Sequence, residues 1–323
     1  MLTEQRTIIC ILYKSNNLKD SMLSITHMKF QQSVYKLRSA LALSILLIMI
    51  PTIIHADSGY SQVSYADIPY QEHSFLSGIV ENIGDFISRA IPTLKTLLLG
   101  TPILIIYTWL CSLIASYLKV KKNLRTAYTR KVFHFLIFTM AGILQISVGL
   151  SGVILFGIIV VLFVLYTVLK GDNFHFYEAL ARPKDAPKRS AFIVLPLATT
   201  ALGGVLANVL FYPFAFIGYF VCGCGDAVGE PIGAKWGRHE YKVPSVFGVK
   251  VTRSIEGSLG VLIVGFIAAF FALLLSSYSF WTSLSVGFAC GLGGALIEAV
   301  STHGFDNLTI QILVSGIAYF IIK

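Results

Sequence analysis

Two long blocks of this sequence, Ala191 to Gly225 and Gly257 to Ile297, contain no charged residue at all. Segments of that length without charge cannot form the solvent-facing surface of a soluble domain. Each is long enough to cross a bilayer, which takes about 20 residues as α-helix. The chain as a whole agrees: of its 323 residues 55% are hydrophobic and only 13% charged, with a mean hydropathy of +0.76. Ordinary soluble domains carry roughly 25% charged residues. Helix is the expected spanning element, because spanning strands require a closed barrel with alternating polarity and the apolar runs here do not alternate. The expected fold class is all-α, a polytopic integral membrane protein with about 7–8 transmembrane helices. Candidate spans are Leu97–Leu118, Val132–Leu150, Gly152–Leu169, Ala191–Leu210, Tyr212–Cys224, Ser258–Leu275, Trp281–Ala299 and Leu308–Ile322, the fifth and eighth being short.

The net charge of +9 invites a nucleic-acid reading, but its distribution argues against one. From Lys119 onward every Lys or Arg except Lys323 falls in three segments, 119–131, 170–189 and 235–253, while the connections near 149–152, 210–213 and 275–281 have none. Cytoplasmic loops concentrate Lys and Arg, and basic loops alternating with base-free ones are what successive crossings demand. The basicity is therefore topological. No nucleic acid is expected as a partner, and the partner to expect is the lipid bilayer. The five cysteines show no metal spacing, and Cys222-Gly-Cys224 reads as small residues at a tightly packed helix end.

Residues 36–56 resemble a signal peptide: Lys36 and Arg38, then an apolar core too short to span, then Ala56. Met28 makes a natural start for such a peptide, so residues 1–27 read as an over-extended reading frame. An uncleaved first helix is the alternative. In either case 57–93 is expected on the translocated side, since 57–90 holds five acids and Arg89 as its one base. Within it Phe75, Leu76, Ile79, Val80, Ile83, Phe86 and Ile87 recur at helical spacing, as in a helix lying on the outer surface. Residues 94–323 then form the transmembrane domain.

Between the two charge-free blocks lies a polar, glycine-spaced insert, Gly225 to Gly257. A pure membrane anchor has no use for it. Asp226 and Glu230 are four residues apart, hence on one helical face, and Mg²⁺ is held by a few carboxylates plus substrate phosphate oxygens. Gly229, Gly233 and Gly237 recur every fourth residue and would leave one ridge bare for close approach of backbone or ligand. Lys235, Arg238, Lys242 and Arg253 offer cations to phosphate oxygens. The bland alternative is that the glycines pack helices and the charges are a solvated loop. Ser254-Ile255-Glu256-Gly257 also suits an ordinary helix start, with Ser254 as cap.

These residues resemble the CTP-dependent lipid-alcohol kinases, which include dolichol, phytol, farnesol and diacylglycerol kinases and are related to the phosphatidate cytidylyltransferases. Their motif reads D-x-x-A-x-x-x-G-x-x-x-G-x-x-K, then a spacer and K-K-T-x-E-G; Asp226, Gly233 and Gly237 match in register, and Arg253-Ser254-Ile255-Glu256-Gly257 stands at the end. Gly229 stands in place of Ala, Glu240 in place of Lys, and Thr252-Arg253 in place of Lys-Lys; Lys242 could supply the missing cation. Arg130-Lys131-Val132-Phe133-His134 is similar to an early Arg-Lys-x-x-His in that family, and Glu298 with Asp306-Asn307-Leu308-Thr309 to its late E…D-N-[LF]-T element.

The resemblance implies transfer of a phosphoryl group from CTP to a membrane lipid alcohol, with Mg²⁺ as cofactor. Asp226 and Glu230 would hold the metal, and Arg130, Lys131, Gly229, Gly233, Lys235, Gly237, Lys242, Arg253, Ser254 and Gly257 would bind the nucleotide. The residue that orients or deprotonates the hydroxyl would be Glu256, Glu298 or Asp306. It also implies an inner (plasma) membrane protein of bacterial type with the active site on the cytoplasmic side. A cytidylyltransferase is the runner-up, its late His-Gly-Gly signature echoed faintly by His303-Gly304-Phe305-Asp306. A transporter or scaffold is the non-enzymatic alternative, although transporters place their charges nearer the bilayer midplane. His134 alone reads as a packed interfacial histidine. His303 reads equally as a phosphate contact or a solvated loop residue. Asp172, His175 and Glu178, among Phe174, Phe176 and Tyr177, read as an interfacial helix.

Overall fold

A computed structural model describes residues 75–246 and 251–323, with side chains from residue 81 onward. The signal-like segment 36–56, residues 1–27 and the first part of the translocated segment, 57–74, lie outside the described residues. The fold is all-α apart from one small hairpin. Helix α1, Phe75–Ala90, is followed by a π-helical turn, Thr96–Gly100, that runs into α2, Thr101–Val120. Next come α3, Thr126–Ser147, α4, Leu150–Lys170, the short α5, His175–Leu180, and α6, Ala191–Phe211. Helix α7, Ala215–Phe220, passes through a π-helical turn, Val221–Asp226, into α8, Ala227–Trp236. Strands β1, Glu240–Val243, and β2, Val251–Ser254, pair antiparallel, Tyr241 opposite Arg253. Helices α9, Ile255–Leu275, α10, Phe280–Val300, and α11, Asp306–Ile322, complete the chain.

Among the described residues five helices are long and apolar enough to cross a membrane: Thr96–Val120, Leu150–Asn173, Ala191–Phe211, Ile255–Leu275 and Phe280–Val300. The remaining expected crossings take other forms. Helix α3 has 22 residues but starts at Thr126, ahead of the expected Val132, and so carries Arg130 and Lys131 in its own N-terminal turns. The run expected over Tyr212–Cys224 does not stop at its apolar boundary, because helical backbone continues through Asp226 to Trp236. Helix α11 is an apolar helix of 17 residues.

The turn Val221–Asp226 is the centre of the bundle, touching α3, α9, α10 and α11, with Val221, Cys222, Gly223, Gly225 and Asp226 buried. Small residues permit this. A Cβ on Gly291 of α10 would stand 2.8 Å from the Leu262 carbonyl oxygen of α9, so these two helices meet backbone to backbone. Lipid supplies no hydrophobic force between helices, and close approach of this kind is what holds them.

Helix α1 confirms the periodicity read from Phe75 to Ile87. It packs on α4 and α6, and the Arg89 guanidinium lies 4.4 Å from the centre of the Tyr212 ring at the C-terminal end of α6. Helix α5, read from the sequence as an interfacial helix, turns aromatic residues into the bundle. Phe176 and Tyr177 are buried, and Phe176 stacks edge-on against Phe133 of α3 at 4.8 Å. Its partners are the bundle itself, so it fixes the connection that follows.

Candidate active site

A cavity of about 560 Å³ opens where the three basic segments meet the α10–α11 corner. Its walls include Lys119, Arg125 and Lys131 from the first segment, Arg182 and Lys184 from the second, and Arg253 from the third, with Ser254 next to it. Asp226, Gly229, Glu230, Gly233, Gly257, Ser258, Glu298, His303 and Asp306 also line it. Ligand pockets typically fall in the range of about 300–1,000 Å³, so the space suits a nucleotide. Three motif segments scattered from 130 to 306 are brought together here.

The floor is the end of the buried π-helical turn. Asp226 Oδ2 accepts from Lys131 Nζ at 2.7 Å and lies 3.4 Å from His134 Nε2. His134 also bonds the Cys222 carbonyl at 3.1 Å and stacks on Phe138, which makes it the packed histidine that was expected. Beside Lys131, Arg130 buries its Nη1 with no hydrogen-bond partner among the described residues, amid the charges of Arg182, Glu230, Asp306 and Asp185. A buried donor left unpaired costs about 1–3 kcal/mol, and more when it is charged.

One helical turn after Asp226, Glu230 Oε1 accepts from Arg182 Nη1 at 3.1 Å, with Lys184 Nζ at 4.0 Å. Burial would push this carboxyl up, but Arg182, Lys131, Arg130 and Lys184 outweigh it and hold Glu230 at about 2. Arg182 also grips Asp185 through Nε at 2.8 Å and Nη2 at 3.3 Å, and donates from Nη2 to His303 Nε2 at 2.7 Å. Burial, then the charges of Arg182 and Arg130, push His303 down to about 3. In this structure His303 is built into the cavity wall by its bond with Arg182. It is a neutral acceptor.

The opposite wall is built on Arg253. Its Nε meets Glu298 Oε1 at 2.8 Å, Nη1 donates to the carbonyls of Glu298 and Ser301, the latter at 3.0 Å, and Nη2 meets Asp306 Oδ2 at 3.1 Å. Asp306 Oδ1 accepts from the Asn307 N–H at 3.0 Å. Glu298 Oε2 has a longer contact, 3.4 Å from Ser258 Oγ, and Ser258 is 2.8 Å from the Tyr241 hydroxyl. All three guanidinium nitrogens of Arg253 thus bond the α10–α11 corner, while the residue also lines the cavity.

The glycine ridge serves packing and the cavity at once. A Cβ on Gly229 would meet Val261 Cγ2 at 2.9 Å, one on Gly233 would meet Ser254 Oγ at 2.9 Å, and one on Gly257 would meet the Gly229 carbonyl oxygen at 2.8 Å. Gly229, Gly233 and Gly257 still face the cavity, whereas Gly237 ends α8 in extended conformation outside the lining. Ser254 caps α9, accepting from the Gly257 N–H at 3.1 Å, as its sequence context suggested.

Four other expected residues, Arg130, Lys235, Lys242 and Glu256, stand apart from the lining. Lys235 is exposed with its ammonium 4.5 Å from the Trp236 ring centre, and Lys242 is exposed on β1. Glu256 points outward and bonds His239 Nδ1 at 2.8 Å. Conversely, Lys119, Arg125, Arg182, Lys184 and Ser258 line the cavity without having been singled out. The signal for Arg182 was faint, one arginine in a basic loop.

Among the described residues no three His, Cys, Asp or Glu side chains cluster closely enough to cage a metal by themselves. Two hard carboxylates one turn apart, in a cavity of nucleotide size, do fit Mg²⁺ that completes its shell with phosphate oxygens and water.

Over 102 residues the chain is 34% identical to the phytol kinase of Synechocystis sp. (strain ATCC 27184 / PCC 6803 / Kazusa). That stretch is 31% of this chain and 40% of the relative, so the chain matches about two-fifths of the length of that curated protein. No family model and no solved structure matches. The resemblance to lipid-alcohol kinases thus extends beyond isolated motifs to a continuous stretch of sequence.

Proposed function

We propose that this chain transfers the γ-phosphoryl group of CTP to the hydroxyl of a membrane lipid alcohol, of polyprenol, phytol, farnesol or diacylglycerol type. The observation that carries the reading is the convergence in one cavity of Asp226, Lys131 and Asp306, one from each motif segment. CTP rather than another nucleotide rests on the family resemblance alone.

Phosphoryl transfer asks a protein mainly for positioning and charge neutralisation. Asp226 and Glu230 would hold Mg²⁺, which would supply charge neutralisation at the phosphate oxygens. Arg130 and Lys131 bind the same oxygens, Lys131 turning from Asp226 to the nucleotide, and the bare ridge of Gly229, Gly233 and Gly257 lets the phosphates approach the backbone. The lipid hydroxyl attacks the γ-phosphorus, the bond to the β–γ bridging oxygen breaks, and CDP leaves. Of the three candidate acceptors of the hydroxyl proton, Glu298 fits best. Both Asp306 oxygens are engaged, Glu256 is outside the cavity, and Glu298 Oε2 has one long contact. The lipid tail enters sideways from the bilayer. By the positive-inside rule the cavity faces the cytoplasm, here of a bacterial inner membrane.

The test is purified protein with CTP labelled in the γ-phosphate, Mg²⁺ and a panel of lipid alcohols and phosphatidate. Release of CDP with labelled lipid phosphate is expected. Release of pyrophosphate with phosphatidate would instead make the chain a cytidylyltransferase, and no turnover with any acceptor would overturn the enzyme reading.

A further inference from the structure

Arg182 makes four hydrogen bonds at the cavity wall, and nothing in the motif pattern marks it. It is only 3% exposed. Its guanidinium joins three separate parts of the wall: Asp185 in its own connection, Glu230 on α8, and His303 in the loop between α10 and α11. The bond to Glu230 reaches Oε1 only, and among the described residues no hydrogen bond is made to Oε2.

One carboxylate oxygen is anchored and the other makes no hydrogen bond among the described residues, in a side chain that lines the cavity. That is how outer partners orient a metal-ligating carboxylate, and losing such a partner typically costs about 10–100-fold in metal affinity or activity. The two contacts to Asp185 and the bond to His303 in turn prevent the guanidinium from swinging away.

We propose that Arg182 is a positioning residue that aims Glu230 at the metal–nucleotide complex and ties the 301–305 loop to the same point. The inference rests on the metal role of Glu230 proposed above. A lysine at this position could not replace the arginine. It is a point charge, whereas the planar fork holds Asp185, Glu230 and His303 in fixed directions.

The experiment uses the full-length protein in detergent with Arg182→Lys and Arg182→Ala, and two readouts. The first is direct binding of Mn²⁺ in the presence of CTP, followed by electron paramagnetic resonance without any turnover. The second is the Mg²⁺ dependence of activity with and without added methylguanidinium. Both variants are expected to bind Mn²⁺–CTP at least about tenfold more weakly than wild type. Methylguanidinium should restore part of the affinity and activity of Arg182→Ala, where it has room, and none in Arg182→Lys.

Wild-type Mn²⁺ affinity in both variants would overturn the proposal while leaving the kinase reading standing. A loss that tracks a lower melting temperature and is not relieved by methylguanidinium would reduce Arg182 to a structural residue, which also overturns it. Failure of the wild-type protein to bind Mn²⁺–CTP at all would sink the parent reading, and this inference with it.

Discussion

Lys131 Nζ donates to Asp226 Oδ2 at 2.7 Å across a separation of 95 residues, joining the first helical turns of α3 to the π-helical turn at the bundle centre. Both side chains are nearly buried, 12% and 6% exposed. Removing one partner of a buried pair leaves an uncompensated charge, which typically costs about 3–5 kcal/mol, whereas removing both together can be neutral.

Asp226→Asn keeps the shape and one acceptor for Lys131 but removes the charge. Turnover is expected to fall by at least about 100-fold, the scale on which electrostatic groups in active sites act. The melting temperature should fall too, since Lys131 loses its counter-charge. Assays across a Mg²⁺ series and thermal unfolding in detergent check both, and near-normal turnover at limiting Mg²⁺ would remove Asp226 from the metal site.

Arg253→Lys tests whether this residue is a wall strut or a phosphate ligand. One ammonium cannot serve Glu298, Ser301 and Asp306 at once, so the lysine variant should lose stability as well as activity. In Arg253→Ala, with Glu298 and Asp306 left facing each other, the loss should be on the order of 3 kcal/mol. A lysine variant with wild-type melting and wild-type nucleotide affinity would contradict the role described here.

The pH dependence has a definite sign. Glu230 sits at about 2 against an ordinary 4.5, so its contribution to stability is complete above pH 4.5 and is lost as pH falls from there toward 2. His303, at about 3 against 6.5, acts in the same direction: the unfolded chain takes up a proton below pH 6.5 before the folded one does. Melting temperature should therefore decline steadily from pH 6.5 downward. His303→Asn should flatten the upper part of that slope and Glu230→Gln the part below pH 4.5. A variant whose slope matches wild type would exclude its residue.

Glycine substitutions should divide by what their Cβ meets. Gly257→Ala drives a methyl to 2.8 Å from the Gly229 carbonyl oxygen, and backbone cannot step aside cheaply, so about 1–3 kcal/mol of destabilisation is expected. Gly84→Ala on α1 meets nothing within 4 Å and should stabilise by up to about 1 kcal/mol through helix propensity. Thermal unfolding of the two variants separates crowding from a general intolerance of change.

The two ends of the bundle should label from opposite sides. In a background without reactive cysteines, Lys242→Cys beside the cavity and Ser88→Cys on α1, both at exposed positions, should react with impermeant maleimide from different faces of the membrane. Labelling of both from one face would refute the orientation proposed here.

Much was legible in the chain before any fold was known. The charge-free blocks dictated apolar helices, because buried backbone in lipid must satisfy its own hydrogen bonds. The period of Phe75 to Ile87 marked α1, and Ser254 before Ile255-Glu256-Gly257 marked a capped helix start. These are local properties, written in neighbouring residues. The hairpin of β1 and β2 was not legible, since its strands of four residues are set by the α8 and α9 ends they connect. Nor could sequence show that Arg253 bonds Glu298 and Asp306, that Glu256 turns outward to His239, or that Arg182 gathers Asp185, Glu230 and His303. Spacing along the chain names which side chains share a helical face. Which charges are buried together depends on how helices far apart in sequence pack, and only the tertiary structure decided it.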